Sequence, residues 1–399
     1  MRVRALVTVV VALLALPGSA AAQGLDTSCQ FSLTRLDAST TNVLAVDTNA
    51  VYWGGTYAAL PGTRIRIEGD YPHARYMSWN LYDSAGRPIE ALADFQLAPN
   101  PGGGGYTAFI EPGERPAQPA SNTLYTGSSR GGTFLYRVYV PKRGNDEKGG
   151  VPLPRVTLEG PAGTGGLPGL DACRELQAPY AWQLNGLIGQ SPAAPDPTSD
   201  GEGFPGRRRP SWRLFTNFCA SAVDVMMDNE QGERFHPDAS ERCGDGPGFF
   251  SNRDIAYVFA PISRGFGEVL VIRARAPRWR ALRYWSFCHY EPATQRVIAC
   301  RRDTRVKVGP RRFYKIVIST ADARPRNARP ACGVTWMPWG PQTQGLLIYR
   351  HMLPRASFRQ AIQNVGEPGN EKRVMGRFYP SSRYWATPAD FEKRGCRRK

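Results

Sequence analysis

The stretch Arg278-Trp279-Arg280-Ala281-Leu282-Arg283-Tyr284-Trp285 interleaves cations with aromatic rings. Guanidinium forks grip phosphates and carboxylates in bidentate fashion, while indole and phenol faces stack on sugars, bases or other guanidiniums. Just upstream, Val269-Leu270-Val271-Ile272-Arg273-Ala274-Arg275 adds two more arginines at a spacing of two. Arg273, Arg275, Arg278, Trp279, Arg280, Arg283 and Trp285 therefore form the leading candidate binding surface. Such a surface suits an anionic cell-wall polymer such as a teichoic or uronic acid, a glycan, or lipid head groups, with nucleic acid the least favoured partner.

Signals for catalysis are weaker, and no catalytic residue is assigned. Gly127-Ser128-Ser129-Arg130-Gly131 fits G-x-S-x-G, but a nucleophile elbow needs a helix after the serine, and Thr133 to Val140 reads as strand. His73, in Tyr71-Pro72-His73-Ala74-Arg75, has Asp70 and Asp83 close in sequence and could serve as a general base. Asp70 with Asp83 or Asp94 could form a glycosidase pair, although spacing alone selects no pair. Four scattered histidines and no C-x-x-C argue against a metal site, and no phosphate-binding glycine loop supports a cofactor.

These residues must be positioned by a chain of 399 residues in which Gly (42) and Pro (34) make up about a fifth, against roughly 12% in average proteins. That composition favours short strands and many turns. Sliding the chain on itself by 205 brings Tyr52, Gly62, Ile67 and Pro72 onto Tyr257, Gly267, Ile272 and Pro277. At 208, Tyr76, Ser78, Tyr82, Tyr106 and Ile110 meet Tyr284, Ser286, Tyr290, Tyr314 and Ile318. At 213, Gly132, Tyr136, Arg137 and Pro141 meet Gly345, Tyr349, Arg350 and Pro354. Offsets that only drift upward are expected of a duplicated domain with loop insertions. The copies read as strands over Arg64–Glu68, Tyr76–Tyr82 and Thr133–Val140, echoed by Val269–Arg275, Tyr284–Tyr290, Arg312–Ile318 and Leu346–Tyr349. Turns fall at Asp83–Arg87 and Glu291–Gln295. The expected fold is all-β: two tandem antiparallel, jelly-roll-like β-sandwiches over residues 23–189 and 212–399, joined by a Pro/Gly-rich linker at 190–211. Short peripheral helices are expected around Ser357–Val365 and after Thr387, which opens a capping box with Asp390.

Residues 1–22 read as a cleaved export signal: Arg2 and Arg4, an apolar run from Ala5 to Leu16, and Ala20-Ala21-Ala22 before Gln23. That run is too short to span a bilayer, and no later window is apolar enough. The mature chain is thus expected outside the cell or at its envelope, with no transmembrane segment; the sequence leaves its oligomeric state open. Eight cysteines in an exported chain imply disulfides. The repeat pairs Cys29 with Cys173 and Cys219 with Cys396, each stapling the ends of one domain. Cys288 and Cys300 are equidistant from Thr294 across a turn, and Cys243 and Cys332 pair by elimination.

Formal charge is +17, carried unequally. Residues 23–200 hold 13 Lys and Arg against 17 Asp and Glu, net −4; residues 201–399 hold 36 against 17, net +19. Only seven of the 51 basic residues are lysine, which a GC-rich genome partly explains, but codon bias does not make one copy acidic and its twin basic.

Tyr76-Met77-Ser78-Trp79-Asn80-Leu81-Tyr82-Asp83, Asn122-Thr123-Leu124-Tyr125 and Gly131 to Pro141 together resemble the jelly-roll-like C-terminal domain of unknown function of many exported bacterial proteins. Tyr284-Trp285-Ser286, Trp336-Met337-Pro338 and Leu347 to Pro354 echo it, and as a whole the chain is similar to uncharacterised secreted proteins of GC-rich actinobacteria. The resemblance implies an antiparallel β fold and an envelope location, and supplies no catalytic residue. The expected function is non-enzymatic binding at the cell envelope. The alternatives are a secreted hydrolase of glycans or esters, and a protein–protein or structural role in which the copies pair with each other or with a protein partner.

Overall fold

The computed structural model describes residues 35–39, 42, 45–59, 61–160, 206, 208–216, 250–292 and 295–396. The signal segment, Cys29, Cys173, Cys219, Cys243 and most of the 190–211 linker lie outside the described residues. The rest is built from strands rich in aromatic and β-branched residues, as a half-buried pleated surface favours. In order these are β1 (Ala50–Ala58), β2 (Arg64–Gly69), β3 (Ala74–Asp83), β4 (Pro88–Ala93), β5 (Tyr106–Glu111), β6 (Thr123–Tyr125), β7 (Gly131–Pro141) and β8 (Arg155–Glu159). The second half continues with β9 (Arg213–Leu214), β10 (Ile255–Ser263), β11 (Val269–Arg275), β12 (Leu282–Tyr290), β13 (Val297–Arg302), β14 (Phe313–Ser319), β15 (Thr335–Pro338), β16 (Gln344–Pro354) and β17 (Ser381–Trp385). Two one-turn helices are described, α1 (Glu371–Met375) between β16 and β17 and α2 (Pro388–Glu392) after β17.

The strands form four sheets that stack as two sandwiches. Sheet order is β1-β7-β3-β4 with β6-β5-β2-β8 in the first half, and β9-β10-β16-β12-β13 with β15-β14-β11-β17 in the second. Strand for strand the two orders correspond, with β9 the one addition. Pairing is antiparallel except at β5–β6 and β14–β15, which run parallel at matching places. Gly132 and Gly345 occupy matching points where the backbone has no room for a side chain. A Cβ on the first would lie 2.0 Å from the Tyr82 carbonyl oxygen, and on the second 2.3 Å from His289 Nε2. Both turns form where expected: Asp83 Oδ1 accepts from the N–H groups of Ala85 and Arg87, and Glu291 and Gln295 close the β12–β13 hairpin. At Thr387 the side chain accepts from the Asp390 N–H, capping α2, whereas Ser357–Val365 yields a 3₁₀ turn at Ile362–Asn364.

Each sandwich has its own core. Met77, Trp79 and Leu81 of β3 face β2 and β5 of the first, and Trp285 and Phe287 of β12 face Ile272, Tyr314 and Ile316 of the second. The intervening positions, Tyr76, Ser78 and Tyr82 on β3 and Tyr284, Ser286 and Tyr290 on β12, point into a third buried layer between the sandwiches. On β3 and β12 a mainly apolar core side thus alternates with a tyrosine and serine side.

Contacts across this layer are reciprocal. The Tyr82 hydroxyl donates to the Ser251 carbonyl (3.0 Å) and that of Tyr290 to the Val46 carbonyl (2.9 Å). Arg137 donates to the Phe250 carbonyl (2.5 Å) and Arg350 to that of Ala45 (2.6 Å). The Tyr76 hydroxyl accepts from Asn252 Nδ2 (3.2 Å) and donates to Asp254 (2.5 Å), and Tyr284 donates to Asp47 Oδ2 (2.7 Å). At the rim Arg75 pairs with Asp303 (2.6 Å) and Arg283 with Asp94 (2.5 Å). Ala45 and Phe250, whose carbonyls receive the buried arginines, share the left-handed conformation, with φ of 50° and 49°. Such i-to-j, j-to-i contacts are the signature of a two-fold, isologous interface.

Two bridges are present among the described cysteines. Cys288 and Cys300 are direct cross-strand partners on β12 and β13 and are bonded, as their spacing predicts. Cys332 is bonded to Cys396, which corrects both the Cys219–Cys396 and the Cys243–Cys332 pairings. The reason is local packing: α2 inserts Phe391 into a small cluster with Val269, Val317, Val334 and Cys332, and this delivers Cys396 to Cys332. The Cys29–Cys173 pairing falls outside the described residues.

Asp47 Oδ2 accepts from Tyr284 and Ser286 while Oδ1 accepts from Asn49, all at the buried layer. Asp47→Ala strands these donors and is expected to cost about 2–4 kcal/mol. Urea denaturation followed by tryptophan fluorescence would show a lowered midpoint and, in wild type, one transition for both sandwiches; two separate wild-type transitions would show that the layer does not couple them.

Candidate functional site

The outer sheet of each sandwich, β6-β5-β2-β8 or β15-β14-β11-β17, turns one face away from its core, and these two faces differ in charge. On the first, Arg64 pairs with Glu159 (2.5 Å), and Arg66 pairs with Glu68 (2.8 Å) and Glu159 (3.5 Å). On the second, β2 is replaced by β11, and register places Arg273 where Glu68 stands and Trp385 where Glu159 stands. Arg273, Arg275 and Arg383 lie on this outer face: Arg273 is two residues from Arg275 and two from Val271, the cross-strand partner of Arg383, so its Cα is roughly 6–9 Å from each of theirs. None of the three makes an ion pair with a carboxylate among the described residues.

Aromatic rings hold these guanidiniums in place. Arg273 sits over Phe313 (4.8 Å to the ring centre), Arg324 over Trp336 (4.5 Å), and Arg383 over Trp385 (4.7 Å). A stacked guanidinium at an exposed site gains about 0.5–1 kcal/mol and gives up rotamer freedom before any ligand arrives. Beyond β11, the turn Arg278-Trp279-Arg280 continues the surface: Trp279 is 76% exposed, with Arg280 stacked on it at 4.8 Å. Arg312 closes the end of the sheet, donating to the carbonyls of Ala276 (3.3 Å) and Pro277 (2.8 Å). Burial, then the like charges of Arg278 and Arg275, hold the Arg312 pKa below its ordinary value, a mark of crowded positive charge.

Two of the predicted residues belong elsewhere. Trp285 is in the core, stacked on Tyr314 at 5.7 Å, because it shares a face of β12 with Phe287 while Tyr284 and Ser286 take the other. Arg283 is at the rim of the buried layer, bound to Asp94 and to the Arg75 carbonyl. The structure thus places Arg273 and Arg275 on the outer face of the second sandwich and Arg278, Trp279 and Arg280 in the exposed turn that follows β11. It adds Arg312, Arg383 and the ring platforms Phe313 and Trp385, which sequence reasoning missed. Arg383-Tyr384-Trp385 carries the same cation–aromatic interleaving, and that signal could have found it.

The other candidates occupy structural positions. Ser129 donates to the Gly131 carbonyl in the turn between β6 and β7, beside an open cleft of about 800 Å³. Asp83 is consumed by its hairpin and by Arg87, and Asp94 by Arg283; burial nevertheless holds the Asp94 carboxyl above its usual range. His73 is exposed and makes no side-chain hydrogen bond among the described residues. The one cluster of metal-donor atoms among the described residues is Asp47 with Cys288 and Cys300, whose sulfurs are joined to each other. No helix among the described residues is long and apolar enough to cross a membrane.

No family model matches the chain, and no curated protein does. Among solved structures it is similar to an uncharacterised protein from Burkholderia cenocepacia, at a TM-score of 0.52 and 12% identity, over 92% of this chain and 85% of that one. It is also similar to the VPA0106 protein from Vibrio parahaemolyticus, at a TM-score of 0.44 and 13% identity, over 86% and 90% of the two chains. The first likeness shows a shared fold extending over both sandwiches.

The remaining described histidines are buried in the second sandwich. His289 Nδ1 lies 3.1 Å from the Pro338 carbonyl oxygen, and His351 Nδ1 accepts from the Ile362 N–H. Burial lowers their pKa values from about 6.5 to about 4 and about 3, the Pro338 contact opposing this slightly for His289. Above pH 7 neither affects stability. As pH falls through about 6.5 the unfolded chain takes up protons that the folded chain refuses, so stability is lost progressively, down to about pH 4 for His289 and about pH 3 for His351, by at most roughly 3 and 5 kcal/mol respectively. Denaturation between pH 7 and 5 should show this fall, and a His289→Gln/His351→Gln variant should show a flatter profile; an equal slope would contradict it.

Proposed function

We propose that this protein is a non-enzymatic binding module for an anionic polymer or glycan of the cell envelope, exported by its signal segment and held by the outer face of the second sandwich. The carrying observation is the contrast between the twin faces: Arg64 and Arg66 are neutralised by Glu159 and Glu68, while Arg273, Arg275 and Arg383 have no carboxylate partner among the described residues, and Arg273 and Arg383 rest on aromatic platforms. Guanidiniums ordered in this way lose little freedom on gripping a row of anions, and polymer binding releases the counterions condensed on it.

We further propose that the sandwiches are copies of one ancestral module, residues 23–189 and 212–399. The matching strand orders and reciprocal contacts support this. Pairing of the copies then occupies the tyrosine-bearing sheets, not the arginine face, which stays available to a partner. The disulfides Cys288–Cys300 and Cys332–Cys396 are compatible with an oxidising, extracellular setting. The hydrolase alternative rests on His73, and His73→Ala leaving any hydrolysis of wall glycans intact would remove that basis.

The test uses the mature chain and a poly(glycerol phosphate) polymer. Affinity should fall steeply with salt, and Arg273→Glu/Arg275→Glu/Arg280→Glu should weaken binding at least 100-fold at low salt. The log–log salt slope should become shallower by about 2–3, at roughly 0.7–0.9 per lost contact. Arg66→Glu on the twin face should leave affinity within two-fold. Equal loss in both variants would show that net charge alone, and not this face, holds the polymer.

A further inference from the structure

At the β17 edge of the arginine face lies a cleft of about 510 Å³, lined by Arg383, Tyr384, Trp385, Ala386, Asp390, Lys393 and Arg394. Its floor is the Trp385 indole, which carries two guanidiniums, Arg383 at 4.7 Å and Arg394 at 5.0 Å from the ring centre. The indole is itself fixed, edge-on to buried Phe391 at 6.1 Å. Arg394 is fixed from the backbone side: its N–H donates to the Phe391 carbonyl, and two residues on the chain is bonded to Cys332.

The remaining charges of the cleft are already matched. Asp390 caps α2 through Thr387, accepts from the Thr387 hydroxyl (2.9 Å), and binds Lys393 Nζ (2.8 Å). Arg383 and Arg394 have no carboxylate partner among the described residues. At the equivalent register position of the first sandwich, Glu159 takes the place of Trp385 and neutralises Arg64. With Val269 and Val271 standing where Arg64 and Arg66 do, the exchange of Glu159 for Trp385 replaces an ion-paired patch by an indole platform for two cations.

We infer that this cleft is an oxyanion subsite, taking one tetrahedral phosphate or sulfate ester of the polymer between the guanidiniums of Arg383 and Arg394. A single fork matches the two coplanar oxygens of a carboxylate. Two forks resting on one ring present donors to oxygens that are not coplanar, which a tetrahedral ester supplies and a uronate does not. Trp385 acts as a positioning residue, ordering both forks before the ligand arrives. The inference rests on the reading of this face as a polymer-binding surface and adds the class of its anion.

The full disulfide-bonded chain is titrated calorimetrically with poly(glycerol phosphate), dextran sulfate and polygalacturonate. Arg383→Gln/Arg394→Gln should weaken binding of the phosphate or the sulfate polymer, or both, at least ten-fold, and change polygalacturonate binding less than two-fold; which of the two suffers identifies the ester. Trp385→Phe, which removes no charge, should weaken binding of the same polymer several-fold while the salt slope stays within 0.5 of wild type. An equal loss for polygalacturonate, or wild-type binding by the double arginine variant, overturns the subsite. The broader reading fails separately, if Arg273→Glu/Arg275→Glu/Arg280→Glu binds as wild type while the Arg383 and Arg394 variant does not. Thermal unfolding of each variant at the wild-type midpoint excludes loss of fold as the cause.

Discussion

Two arginines buried between two sheets constrain the rest of this molecule. A guanidinium removed from water is costly unless its donors are matched, and Arg137 and Arg350 each donate to a carbonyl of the other half, Arg137 also to the Tyr82 hydroxyl of its own. Those carbonyls belong to Phe250 and Ala45, both held in the left-handed conformation just before a strand. Tyrosines complete the solvation: Arg137 stacks near Tyr52 and Tyr82, and Arg350 near Tyr257 and Tyr290. The carbonyl acceptor of each arginine lies in the opposite half, so each half needs the other.

The layer in turn decides which surfaces remain for other work. β3, β7, β12 and β16 are buried on both faces, one against their own core and one against the partner sandwich. Only the outer sheets keep a face toward solvent. On the first that face is closed by its own ion pairs; on the second it presents guanidiniums ordered by Phe313, Trp336 and Trp385. The charge asymmetry between the halves is therefore concentrated where a ligand could use it.

Much of the architecture was legible in the chain because its signals are local. Period-two alternation marked β2, β7 and β11, and the equal spacing of Cys288 and Cys300 about a turn made them cross-strand neighbours. Arg283 and Trp285 were misread because cation–aromatic interleaving looks alike in a loop and in a strand. On β12 Trp285 packs beside Phe287 in the core, while Arg283, near the strand's first residue, is drawn to Asp94, 189 residues away in sequence. Symmetry misassigned Cys396 for a related reason: its neighbour Cys332 is chosen by where α2 packs, and α2 has no described counterpart in the first half.

The sequence alone determined the strands, their turns, the two-part plan and the uneven charge, since alternation, turn chemistry and composition act over a few residues. Tertiary structure alone decided which alternating face became a core, a seam or a surface. A pleated strand offers two sides, and only the sheet packed against each one settles whether a tyrosine or an arginine there meets carbon, a partner's carbonyl or water. Tyr76 and Tyr284 became seam, Trp285 core and Arg273 surface on that physical ground.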